Sequence, residues 1–165
     1  MSTDTATIPA VPVITITRIL NAPRERVFAA WTQPEQVCKW FGPTTDSQCE
    51  AEVDLRVGGS YSIHVNGSNG MRRTVYGKYL EIVPPSRLVM TWHLTGFEDA
   101  DGSLITVDLR ERDGKTEVTV VHAQLPNEQM RDAHEQGWNA GLNKLVLLFD
   151  PAAKVDLTPP AECAH

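Results

Sequence analysis

The chain has 165 residues, a length typical of one domain built around a single hydrophobic core. Hydrophobic residues make up 41% of it and charged residues 22%, a composition that excludes disordered and collagen-like chains. The 15 basic and 21 acidic residues give a formal net charge of -6. This acidic balance argues against a nucleic-acid-binding protein, whose affinity depends on cationic side chains.

The sequence shows neither a membrane segment nor a secretion signal. Its longest fully apolar run is residues 145–149, far short of the roughly 20 residues that cross a bilayer. Cys38, Cys49 and Cys163 are odd in number and lack Cys-x-x-Cys spacing. We therefore expect no disulfide framework and no zinc site, with Cys38 serving as a packing residue. A cytoplasmic protein that does not bind membranes is the expectation that follows.

We expect one domain over residues 13–150, between flexible tails at 1–12 and 151–165. Residues 13–17 alternate apolar and hydroxyl side chains, which predicts a first strand. Pro23 suits the first turn of a helix, and Val27, Phe28 and Trp31 follow at helical spacing.

A second short helix is predicted directly after the first. Thr32 and Glu35 have the spacing of a capping box, with a proline between them. The apolar side of this helix would consist of Val37, Trp40 and Phe41, and the following Gly-Pro pair would end it.

Between residues 47 and 123 the pattern changes to strands and turns. Clusters of turn residues separate six runs rich in Val, Ile, Thr, Tyr and Trp. The clearest alternation is found at positions 88, 90, 92 and 94, and again at 105, 107 and 109. Because short turns join antiparallel neighbours, we predict an antiparallel meander.

One long helix is predicted over about residues 127–149. Its apolar face comprises Trp138, Leu142, Leu145 and Phe149, and Met130, Ala133 and His134 extend that face. Gly137 and Gly141 each cost about 1 kcal/mol in a helix interior. We expect a close approach by the sheet or by a ligand at these two positions.

The resulting α+β fold is a seven-stranded curved antiparallel sheet around a long C-terminal helix, with two short helices after strand 1. This arrangement buries both apolar faces and leaves room for a cavity between helix and sheet. The four tryptophans and several other aromatic residues are predicted to face inward, where they either fill the core or line a pocket. The expected cavity residues are Trp31, Trp40, Phe41, Tyr61, Ile63, Tyr79, Met90, Trp92, His122, His134, Trp138 and Leu142.

Seven segments together resemble the activator of the heat-shock-90 chaperone ATPase, in particular its C-terminal-domain family, within the START-like (SRPBCC) superfamily. These segments are residues 21–32, 39–43, 58–59, 76–79, 84–88, 91–92 and 137–142. The resemblance implies a helix-grip fold with a deep apolar cavity. Members of this superfamily bind lipids, sterols, polyketides and plant metabolites, and a few cyclise or hydrolyse their ligands.

His122 is a weak catalytic candidate. It shares a strand face with Val118 and Val120, and a histidine in an apolar cavity could exchange protons near neutral pH. The alternative is a core histidine whose hydrogen bonds are satisfied. His134 lies on the inner face of the long helix and could meet a strand histidine. The alternating acids Glu50, Glu52 and Asp54 suit a solvated strand face.

The sequence contains no Gly-x-Ser-x-Gly elbow, P-loop or dinucleotide fingerprint, and no metal-ligand spacing. We therefore expect no cofactor and no metal. The leading hypothesis is a monomeric or homodimeric protein that binds a small apolar or aromatic molecule, for carriage or sensing rather than catalysis. Two alternatives remain: a cyclase- or hydrolase-like enzyme using a cavity histidine or acid, and a stress-related module that binds a chaperone.

Overall fold

The computed structural model describes residues 13–41, 48–66, 72–95, 103–125 and 127–155. None of the helices in these ranges is both long and apolar enough to cross a membrane. The elements are, in chain order, β1 (Ile14–Leu20), α1 (Arg24–Thr32), α2 (Pro34–Val37), β2 (Gln48–Val53), β3 (Ser60–Asn66), β4 (Arg72–Val83), β5 (Arg87–Leu94), β6 (Ser103–Arg112), β7 (Lys115–Ala123) and α3 (Glu128–Phe149). The predicted α+β helix-grip architecture is confirmed.

All seven strands form one antiparallel sheet in the order β1-β7-β6-β5-β4-β3-β2. The meander from β2 to β7 pairs each strand with its neighbour in sequence, and β1 joins at the far edge by pairing with β7. The β6–β7 hairpin turns through Asp113 and Gly114, whose φ angles are 53° and 82°. Two left-handed residues match the twist of a two-residue hairpin loop, which explains the Asp-Gly pair there.

One face of the sheet is apolar because each strand alternates. On β6, Ile105, Val107 and Leu109 are buried, whereas Thr106 and Asp108 between them are only half-buried. The same alternation holds along β7, and the buried side chains of both strands join a single hydrophobic core. This inward face is the surface that α3 covers.

The long helix is fixed at its start and along its length. Asn127 caps it by accepting a hydrogen bond from the Met130 N–H at 2.8 Å. Near its middle, the Arg18 guanidinium on β1 donates to Asn139 at 2.8 Å and to Asn143 at 3.2 Å. Burial lowers the pKa of Arg18. These contacts attach α3 to the edge strand of the sheet.

The capping box predicted at Thr32 is wrong. Thr32 is the buried last residue of α1, and its hydroxyl donates back to the Phe28 carbonyl at 2.9 Å. The residue preceding α2 is Gln33, which makes no side-chain cap bond. The second helix is therefore a single turn, and Trp40 and Phe41 follow it instead of lying on its face.

The expectation of unpaired cysteines is also wrong. Cys38, at the end of α2, forms a disulfide with Cys49 on β2, with Cα atoms 5.3 Å apart. The bond closes a short loop between two elements that only the tertiary fold brings together. Sequence spacing and an odd cysteine count could not reveal it; Cys163 lies outside the described residues.

The two glycines of α3 have different surroundings. A Cβ atom at Gly141 would contact the Trp40 ring at 3.6 Å, an ordinary packing distance. At Gly137 a Cβ would meet nothing within 4 Å. The expectation of close approach by the sheet or a ligand is therefore wrong at both positions, since a methyl group fits at 137 and the neighbour at 141 is the Trp40 ring at ordinary contact distance.

Breaking the disulfide should destabilise the fold. Cys38 and Cys49 are separated by 11 positions, and the loop-entropy model gives a stabilisation of about 3 kcal/mol for a loop of that size. We expect the double substitution of Cys38→Ser and Cys49→Ser to lower the free energy of unfolding in urea by up to this amount. Iodoacetamide should label two more cysteines after reduction than before, and equal labelling would refute the bond.

Gly137→Ala should stabilise the protein by up to about 1 kcal/mol, because alanine is the better helix former and its methyl group has room. The control is Gly77→Ala on β4, where a Cβ would collide with the Thr91 carbonyl oxygen and should destabilise the fold. Urea unfolding of both variants measures the difference. A destabilised Gly137→Ala variant would contradict the space seen around this position.

Candidate functional site

Aromatic and aliphatic side chains from three parts of the fold surround a gap between α3 and the sheet. The α1–α2 segment, the strands β2 to β5 and the helix α3 all contribute to its walls. The lining residues are Trp31, Val37, Trp40, Phe41, Val53, Tyr61, Ile63, Tyr79, Met90, Trp92 and Trp138. None of these side chains carries a formal charge, so the gap suits an uncharged molecule.

The indole rings of the lining are in direct contact. Trp31 lies 4.7 Å from Trp40 and 5.9 Å from Trp138, measured between ring centroids. Trp92 continues the cluster at 5.3 Å from Trp138, and Phe41 lies 6.0 Å from Trp92. Such distances are typical of favourable tilted and offset aromatic pairs.

These rings leave little empty space. The centre of a water-sized sphere can occupy about 20 Å³ of the gap, and one water molecule needs about 10–15 Å³ on this measure. The resemblance implied a deep cavity, and the structure contains a small one because bulky aromatic side chains fill most of it. A molecule larger than water enters only if lining side chains move apart.

The two lining tyrosines are neutral. Burial raises the pKa of Tyr79 to about 12, and burial together with the neighbouring Tyr79 also raises the pKa of Tyr61. The Tyr61 hydroxyl donates to the Thr91 carbonyl at 2.5 Å. Gly77 lies opposite Tyr61 in the β3–β4 register. Its missing side chain leaves space beside the Thr91 carbonyl.

A buried hydrogen-bond chain runs beside the gap. The Trp138 indole N–H donates to His122 Nδ1 at 3.0 Å. That nitrogen must therefore carry a lone pair, and the ring proton of neutral His122 is on Nε2. The Nε2–H group donates to the Ser103 Oγ at 2.6 Å, and the Ser103 hydroxyl donates to the Trp92 carbonyl at 3.3 Å.

A second chain returns from the sheet to the helix. The Trp92 indole N–H donates to His134 Nε2 at 3.2 Å, so His134 carries its proton on Nδ1. That N–H donates to the Met130 carbonyl at 2.9 Å. The two imidazoles are 5.1 Å apart, so the long helix brings His134 to the strand histidine.

Both histidines are held neutral. Burial, reinforced by His134 nearby, lowers the pKa of His122 to about 2. Burial is also the main cause that lowers the pKa of His134. Protonating His122 would turn Nδ1 into a donor facing the Trp138 N–H. Its Nε2 already carries the proton that faces Ser103, so His122 in this tautomer has no free lone pair to activate that hydroxyl.

The structure brings nine of the twelve predicted cavity residues to the gap and leaves three outside its lining. Those three are His122, His134 and Leu142. His122 and Leu142 are fully buried beside the cluster, and the two histidines are occupied by the indole hydrogen bonds. Periodicity predicts which side chains face inward, but it does not show which of them reach the gap.

Two lining residues were not predicted. Val37 was assigned to the apolar side of the second helix, which was the available sequence signal, and the structure buries it at 3% exposure. Val53 follows Cys49 and Ala51 on alternate positions of β2, and all three pack against the core. That alternation is visible in the sequence, where the acidic residues between these three positions occupy the opposite face of the strand.

Comparison with known proteins places the chain in a family. Residues 21–150 match the model of the Activator of Hsp90 ATPase homolog 1-like protein. The chain belongs to this family. The match spans α1 through the end of α3, and no curated protein sequence matches the chain closely enough to count as a relative.

Solved structures share the helix-grip fold. A protein of Chromobacterium violaceum is 29% identical, with a TM-score of 0.74, over 84% of this chain and 98% of that one. An uncharacterised protein of Rhizobium leguminosarum is also 29% identical, with a TM-score of 0.67, over 84% and 94%. An HSP90 activator from Plasmodium falciparum is 24% identical, with a TM-score of 0.65, over 82% and 94%. The predicted START-like resemblance is thereby confirmed.

Because of His122, the free energy of unfolding should decrease as the pH is lowered. The unfolded chain binds a proton near pH 6.5, whereas the folded state resists protonation down to about pH 2. The native state is therefore fully stable only above the unfolded pKa and loses stability as the pH falls below it. For this histidine we expect a loss of about 2 kcal/mol between about pH 7.5 and about pH 5.

Urea unfolding at the two pH values measures this loss. The matched variant is His122→Asn, whose side-chain oxygen can accept from Trp138 at the position of Nδ1 but does not titrate. We expect the variant to show a smaller pH dependence than the wild type by about the amount assigned to His122. An identical pH dependence in the two proteins would rule out a buried neutral histidine.

Proposed function

We propose that the protein binds a small, neutral, hydrophobic or aromatic molecule between α3 and the sheet, for carriage or sensing. The observation that carries this proposal is the lining itself: eleven uncharged side chains, seven of them Trp, Phe or Tyr. An apolar ligand gains free energy from such a surface in proportion to the area it removes from water. Apart from the Trp31 N–H, the tyrosine, tryptophan and histidine groups described above as hydrogen-bonded have partners within the fold, which favours binding over chemistry.

Entry of a ligand has to displace part of the lining, and the structure indicates which part. Most lining residues are buried, but Phe41 and Val53 are only partly buried and pack against the outside of the core. Phe41 follows α2, and Val53 ends β2. These two side chains form the wall that moves at the least cost in buried contacts.

A role as chaperone cofactor is the second candidate. It is supported by membership of the Hsp90 activator family and by the fold shared with the activator from Plasmodium falciparum. Chaperone contact and stress-related function would use the outer surface, so this role is compatible with a ligand inside. An ATPase assay with the purified chaperone tests it, and an unchanged rate at saturating protein would count against it.

An enzyme of the cyclase or hydrolase kind has less support. Its catalytic candidate, His122, accepts from Trp138 and donates to Ser103. A general base needs a free lone pair within reach of the substrate proton. Both ring nitrogens of His122 already have partners within the fold.

The cytoplasmic location remains a proposal, and the disulfide bears on it. Disulfides persist in oxidising compartments and are rare in a reducing cytoplasm. In the cytoplasm we therefore expect Cys38 and Cys49 to be present as a pair of adjacent thiols. Trapping free thiols with iodoacetamide at cell lysis distinguishes the two states.

Ligand binding is tested by native mass spectrometry and by titration. Protein purified without added ligand should carry a bound mass that is released on denaturation. In a titration followed by NMR, acetophenone should bind several-fold more tightly to Met90→Ala than to the wild type, because the variant enlarges the gap by removing a lining side chain.

The matched control is Leu109→Ala. Leu109 is buried on the same sheet face but does not line the gap, so its truncation should destabilise the fold without improving affinity. If both variants bind acetophenone as the wild type does, or if no variant binds it, the gap is packing space and the proposed function is wrong.

A further inference from the structure

The indole N–H groups of the four tryptophans have different surroundings. Trp40 donates to the Ala30 carbonyl at 2.9 Å. Trp92 and Trp138 donate to the two buried histidines. Trp31 is only 7% exposed, yet within the described part of the chain its Nε1 is the buried side-chain nitrogen or oxygen that has no hydrogen-bond partner. Native structures rarely leave such a group unpaired, and each case calls for a physical explanation.

Trp31 belongs to the lining of the gap, and the other polar groups there are mostly committed. The Tyr61 hydroxyl donates to Thr91, and the indole N–H groups of Trp40, Trp92 and Trp138 have acceptors within the fold. Among the described residues, the Trp31 Nε1 is the buried side-chain nitrogen or oxygen of the lining that has no such bond. Trp31 therefore combines two features: its side chain lines the gap, and its fully buried N–H has no acceptor within the described part of the fold.

Water is a poor partner for this donor. The gap is large enough for one water molecule, but a buried water is stable when it finds two to four hydrogen-bond partners. A carbonyl or ether oxygen needs a single donor, and the rest of the molecule that carries it can contact the aromatic walls. An acceptor on an apolar molecule matches both the polar and the apolar part of the site.

We infer that the molecule bound by this protein carries an uncharged hydrogen-bond acceptor, a carbonyl or ether oxygen, which accepts from the Trp31 Nε1–H. This inference rests on the proposed function and narrows its ligand class to neutral aromatic or hydrophobic ketones, aldehydes, esters and ethers. An anionic or cationic ligand is disfavoured, since none of the lining side chains offers an opposite charge. Trp31 is then the residue that determines specificity.

Two isosteric probes test the inference. Acetophenone and α-methylstyrene have nearly the same shape. Acetophenone has a carbonyl oxygen at the position where α-methylstyrene has a methylene group. Their dissociation constants are measured by NMR for the wild type and for Trp31→Phe, which lacks the N–H. For each protein we take the ratio of the two dissociation constants and compare this ratio between the wild type and the variant. The difference in hydration between the free probes cancels, because it is the same for both proteins. We expect the preference for acetophenone to drop by roughly 3- to 10-fold in Trp31→Phe, the effect of one net hydrogen bond.

Met90→Ala is the matched control. It also shrinks a lining side chain but retains the Trp31 N–H, so it should keep the preference of the wild type even if both affinities change. The indole N–H resonance of Trp31, assigned by its absence in Trp31→Phe, should move downfield with acetophenone and not with α-methylstyrene. The other three indole N–H resonances should move less, because each already has an acceptor.

The outcomes separate this inference from the proposed function. Suppose that both probes bind, that the ratio of their dissociation constants is the same in Trp31→Phe as in the wild type, and that the Trp31 resonance does not respond to the carbonyl. The Trp31 N–H then donates no hydrogen bond to the ligand. The proposed function would stand in that case, and the inference would be overturned. If neither probe binds to the wild type or to Met90→Ala, both are overturned.

Discussion

The long helix is held on the sheet by the hydrogen bond from the Trp138 indole N–H to His122 Nδ1, which is 3.0 Å long. Most of the interior is arranged around this bond. An amphipathic helix on an apolar sheet could slide, because hydrophobic contact has no direction. The polar chain removes that freedom: it leaves α3 at Trp138, passes through His122 and Ser103 to the backbone of Trp92, and returns to α3 at His134. Any shift of the helix would leave several buried polar groups unpaired, which costs more than the lost packing of one side chain.

The same chain determines the chemistry that the interior can support. Two histidines in an apolar core suggest acid–base catalysis, but here each has a fixed tautomer and a partner on both nitrogens. They act as acceptors that satisfy the indoles of Trp92 and Trp138. Because these polar groups satisfy one another, the remaining lining beside them is apolar and neutral, and among the described residues the Trp31 N–H is the buried side-chain donor left unpaired. This interior is consistent with the proposed binding of an apolar molecule.

The sequence predicted what depends on local pattern and missed what depends on long-range contact. Alternation on β5 and β6 and the apolar face of α3 identified the strands, the helix and their inward side chains, because burial imposes those periods. The pairing of Cys38 with Cys49 needs α2 and β2 to meet, which only the folded chain shows. Thr32 has the right spacing for a capping box, yet its hydroxyl bonds within the preceding helix. The tight filling of the gap is likewise a property of how the rings of Trp31 and Trp40 meet, and residue type does not encode that geometry.

The clustering of the indoles has a consequence for spectroscopy. The chain has four tryptophans, all are at most 8% exposed, and ring contacts join them into one group. Tryptophan emission from this protein therefore originates in a single buried volume, and none of it comes from a surface indole. The emission reports on events in the interior between α3 and the sheet, whereas a contact confined to the outer face of the sheet leaves it unchanged. The four tryptophans are thus an intrinsic fluorescent reporter for the gap in which the proposed ligand would bind.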